Sequence, residues 1–501
     1  MLILQDNTIF ETVKDPNMQA KRTRADHIPV PERLNSLNEI EATYTKEQAE
    51  NEAARCLKCP THWCQKMCPA GVPVTDFIAA FRGGDIEGAY KLIRSASTLP
   101  EICSRVCPQD KQCRSNCTRS INNQAVGTGN LERYVVEQHY ASGKGEENAP
   151  STGKKIAVIG SGPAGLSAAQ ALVSKGHSVT VYEKDDRAGG LLEYGIPNMK
   201  LEKSIVERKV KSLESQGVKF VLNTAVGAGA DTGSGSGSGA VDITPDDLIK
   251  DFDAVILAIG TRNARMINAD NIALAKGVYT AVQYLSSTTK SLLDSDMTDG
   301  KNISGKDKDV IIVGGGDTGN DCVGTAIRNG AKSVTQIEMM PKHMGNDIVT
   351  APHYPKIPER KVNTSQEEAR MVYAKDPHIY QATVKSVNTD ASGNIESVTI
   401  VSLEAKTDDD GRLQMKEIPG TEKTLPCGLL LIAAGFSGPE KKVTEAFNVA
   451  TDTRTNITAD NFATNIDKVF TCGDCHTGQS LVVKAMVEGR NCAEAVDAYV
   501  S

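Results

Sequence analysis

The sequence has no stripe of lysine and arginine, no apolar run long enough to cross a bilayer, and no even spread of cysteine. Its formal net charge is -7. A nucleic-acid backbone therefore finds no electrostatic partner. Apolar stretches such as GLLLIAAGF, Gly428 to Phe436, fall far short of the ~20 residues of a spanning helix and read as buried strands. The first residues, MLILQDNTIF onward, show no basic stretch followed by an apolar run and a small-residue cleavage site, so neither secretion nor a membrane partner is expected. Thirteen cysteines would suit a disulfide scaffold only in a short secreted chain. Eight of them fall between Cys56 and Cys117, and the others are scattered. That unevenness points to a reducing compartment, the cytoplasm, and to a metal-bearing head.

With 501 residues, 39% hydrophobic and 24% charged, the composition is that of a globular chain with two to four domains. Before residue 148 it is rich in helix formers. Phe77, Ile78 and Phe81, then Ile86, Tyr90 and Ile93, predict two helices on either side of a break at Gly83 and Gly84. A polar stretch, Ser142 to Lys155, marks a domain boundary. From Lys155 the pattern becomes strand, helix, strand, as in a parallel βαβ unit, and DAVILAIG (Asp253 to Gly260) adds a short buried strand. DTGSGSGSGA (Asp231 to Ala240) is too glycine-rich to pack and reads as a loop tip. The same grammar restarts at Asp309. ATVKSV and ESVTIVSLEA, separated by DASGN, then alternate like antiparallel strands, and a last helix is expected from about Ser480 to Tyr499.

Both units open on G-x-G-x-x-G. In the first, Gly160 permits the turn, Gly162 lets backbone approach a pyrophosphate and Gly165 allows close helix packing, with Pro163 and Ala164 beginning the helix. Glu183 follows 23 positions after Gly160, where a carboxylate can hold ribose hydroxyls, with Lys184 beside it. A lone G-x-G-x-x-G is often only a turn. Here the strand before it and the acid after it support an adenine-dinucleotide site.

Gly314, Gly316 and Gly319 repeat the motif around Asp317 and Thr318, and Glu338 stands 24 positions after Gly314. Two such sites suit a bound flavin and an exchanging nicotinamide, which must be held together for hydride transfer. The acid Glu338 favours a free 2'-hydroxyl, hence NADH over NADPH; Arg328 and Lys342 keep NADPH open or are plain surface. In the tail, Gly473 and Asp474 follow a strand, so that Asp474 could bind ribityl hydroxyls and Gln479, Ser480 and Leu481 could face a flavin edge. The plainer alternative is a strand, a turn and a helix. Cys472 and Cys475 form C-x-x-C, for which a redox disulfide is the less supported reading.

The head carries C-x2-C-x4-C-x3-C (Cys56, Cys59, Cys64, Cys68) and C-x3-C-x5-C-x3-C (Cys103, Cys107, Cys113, Cys117). Thiolates so spaced select iron–sulfur clusters or zinc. Pro69 and Pro108, each directly after a cysteine, resemble the Cys-Pro ends of ferredoxin-type runs and favour clusters.

These motifs, with PVPERLNSLNEI (Pro29 to Ile40), AVIGSGPAGLSAA, GGLLEYGIPNMKL with its Gly190 and Leu191, IIVGGGDTGNDCVGTAIRNGAKSV and VFTCGDCHTGQSLVVKAMVEGR, make the chain resemble the glutamate synthase small (beta) subunit over nearly its whole length. The wider group includes the flavin-bearing part of dihydropyrimidine dehydrogenase and the large subunit of ferredoxin:NADP oxidoreductase. The resemblance implies an α/β fold class: a helical iron–sulfur N-terminal domain (1–148), then two Rossmann-like dinucleotide-binding domains of the FAD/NAD(P)-linked disulfide-reductase type. Of these, 149–285 and 446–501 would bind FAD, and 286–445 would bind NADH or NADPH.

The resemblance also implies two [4Fe-4S] clusters, one held by Cys56, Cys59, Cys64 and Cys117, the other by Cys68, Cys107, Cys113 and Glu132; Cys103 matches a position that is usually not a ligand. Hydride would pass from the nicotinamide to FAD, and electrons singly to the clusters. A large FMN-containing subunit with an amidotransferase site would then make glutamate from glutamine and 2-oxoglutarate. The chain departs from the group's pattern at Lys484, at Ser365, Gln366 and Glu367, and in KHMGND after Pro341. A ferredoxin:NADP transhydrogenase or sulfur-reducing flavoprotein subunit, and a non-catalytic cofactor-bound assembly subunit, are the alternatives.

Overall fold

Local signals set the head's helices in the computed structural model, which describes residues 21–121, 123–227, 243–342, 363–407 and 413–501. Thr45 starts Lys46–Ala53 through a reciprocal capping box with Gln48. Val74–Arg82 and Ile86–Arg94 form the expected pair, and Asp85 begins the second by accepting from the Gly88 amide at 2.7 Å. Phe77, Ile78 and Ile93 are buried with Leu131, Val135 and Val136 of the longer helix Thr128–Ala141. Each such side chain contributes about 1.5–3 kcal/mol by leaving water. Among the described residues before 150, strand pairing is confined to one isolated bridge, His27 with Glu41.

The first sheet is parallel, in the order Val469–Thr471, Ala254–Leu257, Lys155–Ile159, Ser178–Tyr182, Lys219–Val221. Ala254–Leu257 is buried along its length, as expected where helices cover both faces. The second sheet, also parallel, runs Val278–Thr280, Leu429–Ile432, Asp309–Val313, Ser333–Glu338, His378–Tyr380. A third sheet is antiparallel: Ile395–Thr407 pairs with Ala382–Thr389, Leu413–Glu417 and Lys423–Pro426. Val278–Thr280 lies inside the 149–285 span expected for the first unit, yet it pairs with Leu430–Ile432 of the second. Three half-buried residues carry too little apolar pattern to be read as a strand beforehand. The Gly/Ser stretch Asp231–Ala240 and most of KHMGND lie outside the described residues.

Head and first unit share one apolar core, in which Leu99 and Ile102 of the head meet Leu166 and Met486. The helix Val482–Val500 lies along Pro163–Ser174, and its Arg490 guanidinium donates to the Ala96 and Ala70 carbonyls of the head. The polar boundary segment is docked as well. Glu146 accepts from Arg94 at 2.8 and 2.9 Å and from the Tyr90 hydroxyl at 2.7 Å, and Asn148 donates to the Gln216 carbonyl at 2.6 Å.

Burial raises the Glu146 carboxyl, but hydrogen bonding and charge from Arg94 outweigh it and hold it at about 2. A depressed folded-state value contributes stability above the unfolded carboxyl range and loses it as pH falls toward 2. Glu146→Gln should therefore cost about 1.5–3 kcal/mol at neutral pH, the range for hydrogen bonds to charged groups. Chemical denaturation should show that difference narrowing only below pH ~4.5; an equal difference at every pH would contradict this role.

Candidate nucleotide and cluster sites

The two glycine loops are built alike, each glycine for its own reason. Gly160 has φ +97°, and a Cβ there would stand 2.6 Å from the Ala258 carbonyl oxygen; Gly314 has φ +123°, with the Ala433 oxygen at 2.4 Å. A Cβ on Gly165 would meet the Gly160 oxygen at 2.0 Å, and one on Gly319 the Gly314 oxygen at 2.0 Å, so these two let helix and strand touch. Gly162 and Gly316 differ: nothing lies within 4 Å of a Cβ at either. They precede Pro163–Ser174 and Asp317–Arg328, neither of which has a side-chain cap on its first amides. Bare backbone before uncapped amides is the cradle a pyrophosphate needs.

The acids expected at the strand ends brace their loops. Glu183, 4% exposed, accepts from the Ser161 amide at 2.9 Å, the Ser161 hydroxyl at 2.5 Å and the Asp185 amide at 3.0 Å. Glu338 accepts from the Met340 amide at 2.7 Å, and its other oxygen lies where a Cβ on Gly315 would be 1.9 Å away. A carboxylate has about four acceptor positions, so each keeps capacity for ribose hydroxyls. Lys184 is paired with Glu440. Lys342 lies over the Tyr380 ring, 5.9 Å from its centroid.

Arg328 is not solvated surface, its side chain being 3% exposed. It binds Glu368 at 2.7 and 3.0 Å and the Ser36 carbonyl at 2.9 Å. A guanidinium on the last turn of a helix looked free in sequence because its partners lie far along the chain.

Several supporting residues escaped sequence reading. Ser161 sits at a variable position of the motif, where only its hydroxyl hinted at a role. Gln336, fully buried, donates to the Gly314 carbonyl at 2.9 Å and to Asn320 at 3.1 Å, and Gln366 donates to Asn320 at 2.5 Å. A glutamine inside an otherwise apolar strand was the available signal. Of the departures, Gln366 is buried in this network, Ser365 is buried beside Gly324, Glu367 pairs with Arg33 at 3.1 Å, and Lys484 is exposed.

One cleft of about 1720 Å³ joins the loops. Ordinary small-molecule pockets span about 300–1,000 Å³, so this one has room for more than one such ligand. Gly160, Gly162, Pro163, Ala164, Glu183 and Lys184 line it from the first unit, and Gly316, Asp317 and Thr318 from the second. Gly190 approaches Gly162 closely, its Cβ position 3.0 Å from the Gly162 Cα, and Leu191 follows it into the wall. Asp474 accepts from the Ser480 hydroxyl at 2.7 Å, burial raising its carboxyl, and Gln479 accepts from the Phe436 amide at 2.8 Å. These three line the cleft with Leu481. Cys107 and Pro108 bring the head to the same cleft. Gly165, Gly314, Gly319, Glu338 and Gly473 shape it from behind. A Cβ on Gly473 would stand 2.6 Å from the Ala164 methyl, and one on Gly489 2.1 Å from the Ala164 oxygen, which is how the tail reaches the first loop.

In the head, the thiols lie close enough to act on one another. Burial, then Cys117, raises Cys64 to about 12; burial raises Cys56, with Cys117 and Cys59 adding to it. Burial, then Glu132, raises Cys68, while Cys113 is raised by burial, with Cys68, Glu132 and Cys64 contributing. Cys107 is raised by a hydrogen bond with Cys103, then by burial, with Glu132 and Cys113 nearby. Glu132 is pushed up to about 8 by burial and secondarily by Glu101; among the described residues no cation or hydrogen bond offsets this.

Thiols and a carboxyl crowded together fit a cationic centre that favours their deprotonated forms. Among the described residues no three His, Cys, Asp or Glu side chains close on a point as a single metal ion requires. The tail cysteines are buried packing residues: the Cys475 thiol donates to the Leu257 carbonyl at 3.3 Å, and Cys472 faces Cys492. Cys322 is buried in its helix.

Since a side chain at Gly162 meets no protein atom, Gly162→Val should fold with a melting temperature close to that of the parent and retain its iron, yet purify without flavin. Unchanged flavin content would remove this loop from the site.

Residues 33–144 match the family described as dihydropyrimidine dehydrogenase domain II, 4Fe-4S cluster. Residues 154–355 and 366–489 match the pyridine nucleotide-disulphide oxidoreductase family. The glutamate synthase [NADPH] small chain of Bacillus subtilis is 39% identical over 500 residues, covering 96% of this chain and 97% of that one. That of Escherichia coli is 33% identical, covering 91% and 93%. The glutamate synthase [NADH] of Schizosaccharomyces pombe is 37% identical over 95% of this chain, which spans 22% of that longer protein. Among solved structures, Mycobacterium tuberculosis FprA in complex with NADPH superposes with a TM-score of 0.53 at 16% identity, covering 70% of this chain and 85% of that one, and shares the fold. Similarity that runs the length of the bacterial small chains places this chain in the glutamate synthase small-chain family.

Proposed function

We propose that this protein is the electron-input subunit of a glutamate synthase, oxidising NAD(P)H through FAD and passing electrons by two [4Fe-4S] clusters to a large subunit that makes glutamate from glutamine and 2-oxoglutarate. The observation that carries this is the single cleft, which meets the second glycine loop, the first glycine loop and Cys107 of the head in turn. FAD supplies the conversion of a hydride's two electrons into single ones, which clusters then relay.

The chain's own work is placement. Gly162 leaves room for the FAD pyrophosphate, Glu183 holds the ribose, and Asp474 with Gln479, Ser480 and Leu481 lines the flavin end. Gly316, Asp317 and Thr318 receive the nicotinamide nucleotide, and Glu338 its ribose. Cys56, Cys59, Cys64 and Cys117 hold one cluster; Cys68, Cys107, Cys113 and Glu132 hold the other. Glu338 favours NADH, and with Arg328 committed to Glu368 one of the two cations that kept NADPH open is removed. The small-chain names of the relatives support a separate large partner, and the longer S. pombe protein supports the same pairing in fused form. Free thiols suit a reducing cytoplasm, and among the described residues no helix is long and apolar enough to cross a membrane.

Anaerobic NADH should bleach the bound flavin without any partner, and Glu338→Ala should shift the NADH/NADPH rate ratio without releasing FAD. No bleaching by either nucleotide overturns the enzyme. A native partner without a glutamine amidotransferase domain overturns the glutamate assignment.

A further inference from the structure

The segment from Arg33 to Glu41 touches all three parts of the molecule. On the second unit, Glu368 is fully buried in Thr364–Tyr373 and receives two guanidinium groups. Arg328 of the neighbouring helix binds it through both carboxylate oxygens, at 2.7 and 3.0 Å, and Arg33 of the segment reaches it at 3.5 Å. Arg328 also donates to the Ser36 carbonyl at 2.9 Å, and Arg33 pairs with Glu367 at 3.1 Å. On the first unit, Asn198 donates to the Leu37 carbonyl at 2.9 Å and the Ile40 amide donates to the Met199 carbonyl at 2.9 Å. On the head, Glu39 pairs with Arg133 at 2.9 Å and Arg105 at 3.2 Å.

The loop this segment grips is the one that meets the second unit. Met199 packs so closely on the helix Asp317–Arg328 that a Cβ on Gly324 would stand 2.6 Å from its methyl, and Lys200 pairs with Asp321 of that helix. The same helix begins at Gly316, the expected phosphate loop. Other ties between the units are weaker. Lys290 with Asp186, Arg187 with Asp294, and Lys184 with Glu440 are all about a third or more exposed, and such pairs contribute little. The Ser286 hydroxyl adds one bond to the Tyr194 carbonyl at 2.9 Å. The two units are otherwise joined by the chain crossings after Leu257 and after Ile432, a two-stranded joint of the kind that hinges.

We propose that residues 33–41 form a three-way staple that fixes the angle of the second nucleotide unit against the first, which makes Arg33 and Glu368 positioning residues for hydride transfer. The inference rests on the reading of the two loops as FAD and nicotinamide sites. Neither residue touches a nucleotide; each acts by keeping the Asp317–Arg328 helix, and whatever its N-terminus holds, in register with the flavin. Hydride transfer is steeply sensitive to such register, since reacting atoms must stand about 3–3.5 Å apart and a misplacement of about 1 Å can cost about 100-fold.

The test is anaerobic stopped-flow reduction of the holoprotein by NADH, comparing the parent with Arg33→Met and Glu368→Gln. FAD, iron and sulfide contents should match the parent. The NADH concentration at half-maximal rate should stay within about twofold, while the limiting rate of flavin bleaching falls by about 10-fold or more. The double variant should be little slower than the slower single one, because both break one linkage.

Glu368→Gln strips the charge that neutralises two arginines and could unfold the joint. Arg33→Met leaves the Arg328–Glu368 pair intact, and it decides alone if the other variant loses its flavin. Limiting rates within about twofold of the parent overturn the staple, given that reaction rates follow register this closely. Loss of FAD from both variants also overturns it, since the linkage would then hold the fold rather than the register. A parent protein bleached by neither NADH nor NADPH sinks the functional reading itself, a result distinct from the other two.

Discussion

Backbone that must stay bare is the constraint on which the rest of this molecule is arranged. A pyrophosphate can lie against a helix N-terminus only if nothing projects from the residue before it, and Gly162 and Gly316 each face open space within walls that are otherwise close-packed. Neighbouring glycines are there for the opposite reason: Gly165 and Gly319 let backbone meet backbone, which fixes where each bare residue points. Buried polar side chains then hold the loops. Glu183 does so through Ser161, and Gln336 through the Gly314 carbonyl. Groups of this kind are costly to bury and are retained where every partner is satisfied.

The head follows a second rule, in which ionisable side chains are gathered and buried rather than dispersed. Burial favours the neutral forms of Glu132 and of the thiols around it, and Glu132 adds to the rise at Cys68 and Cys113. A cationic centre at that place would favour the deprotonated forms, and its loading would release their protons. Because head and first unit share a core around Leu166 and Met486, the loading of one bears on the geometry of the other. Cys107 is where the two rules meet, since it belongs to the thiol group and to the wall of the nucleotide cleft.

Features with a short repeat were legible in the sequence. The helix pair around Gly83 and Gly84, both glycine loops, their strands and the tail helix all follow from periods of a few residues or from motif spacing. Contacts made by residues far apart in the chain were not. Val278–Thr280 is a strand because Leu430–Ile432 lies beside it, Arg328 is buried because Ser36 and Glu368 come to it, and Glu146 docks a segment that composition alone reads as loose. The division of cysteines between two groups likewise came from resemblance, since spacing alone would pair Cys68 with Cys64. Local patterns name the residues; tertiary partners assign their roles.

The central claim is that two nucleotides occupy two loops of one cleft within hydride reach. Gly316→Val tests it most directly, because the new side chain enters open space at the second loop and leaves the first untouched. The account predicts a folded protein with full flavin and iron that NADH no longer bleaches under anaerobic conditions, although dithionite still does. A variant bleached by NADH as fast as its parent would contradict it.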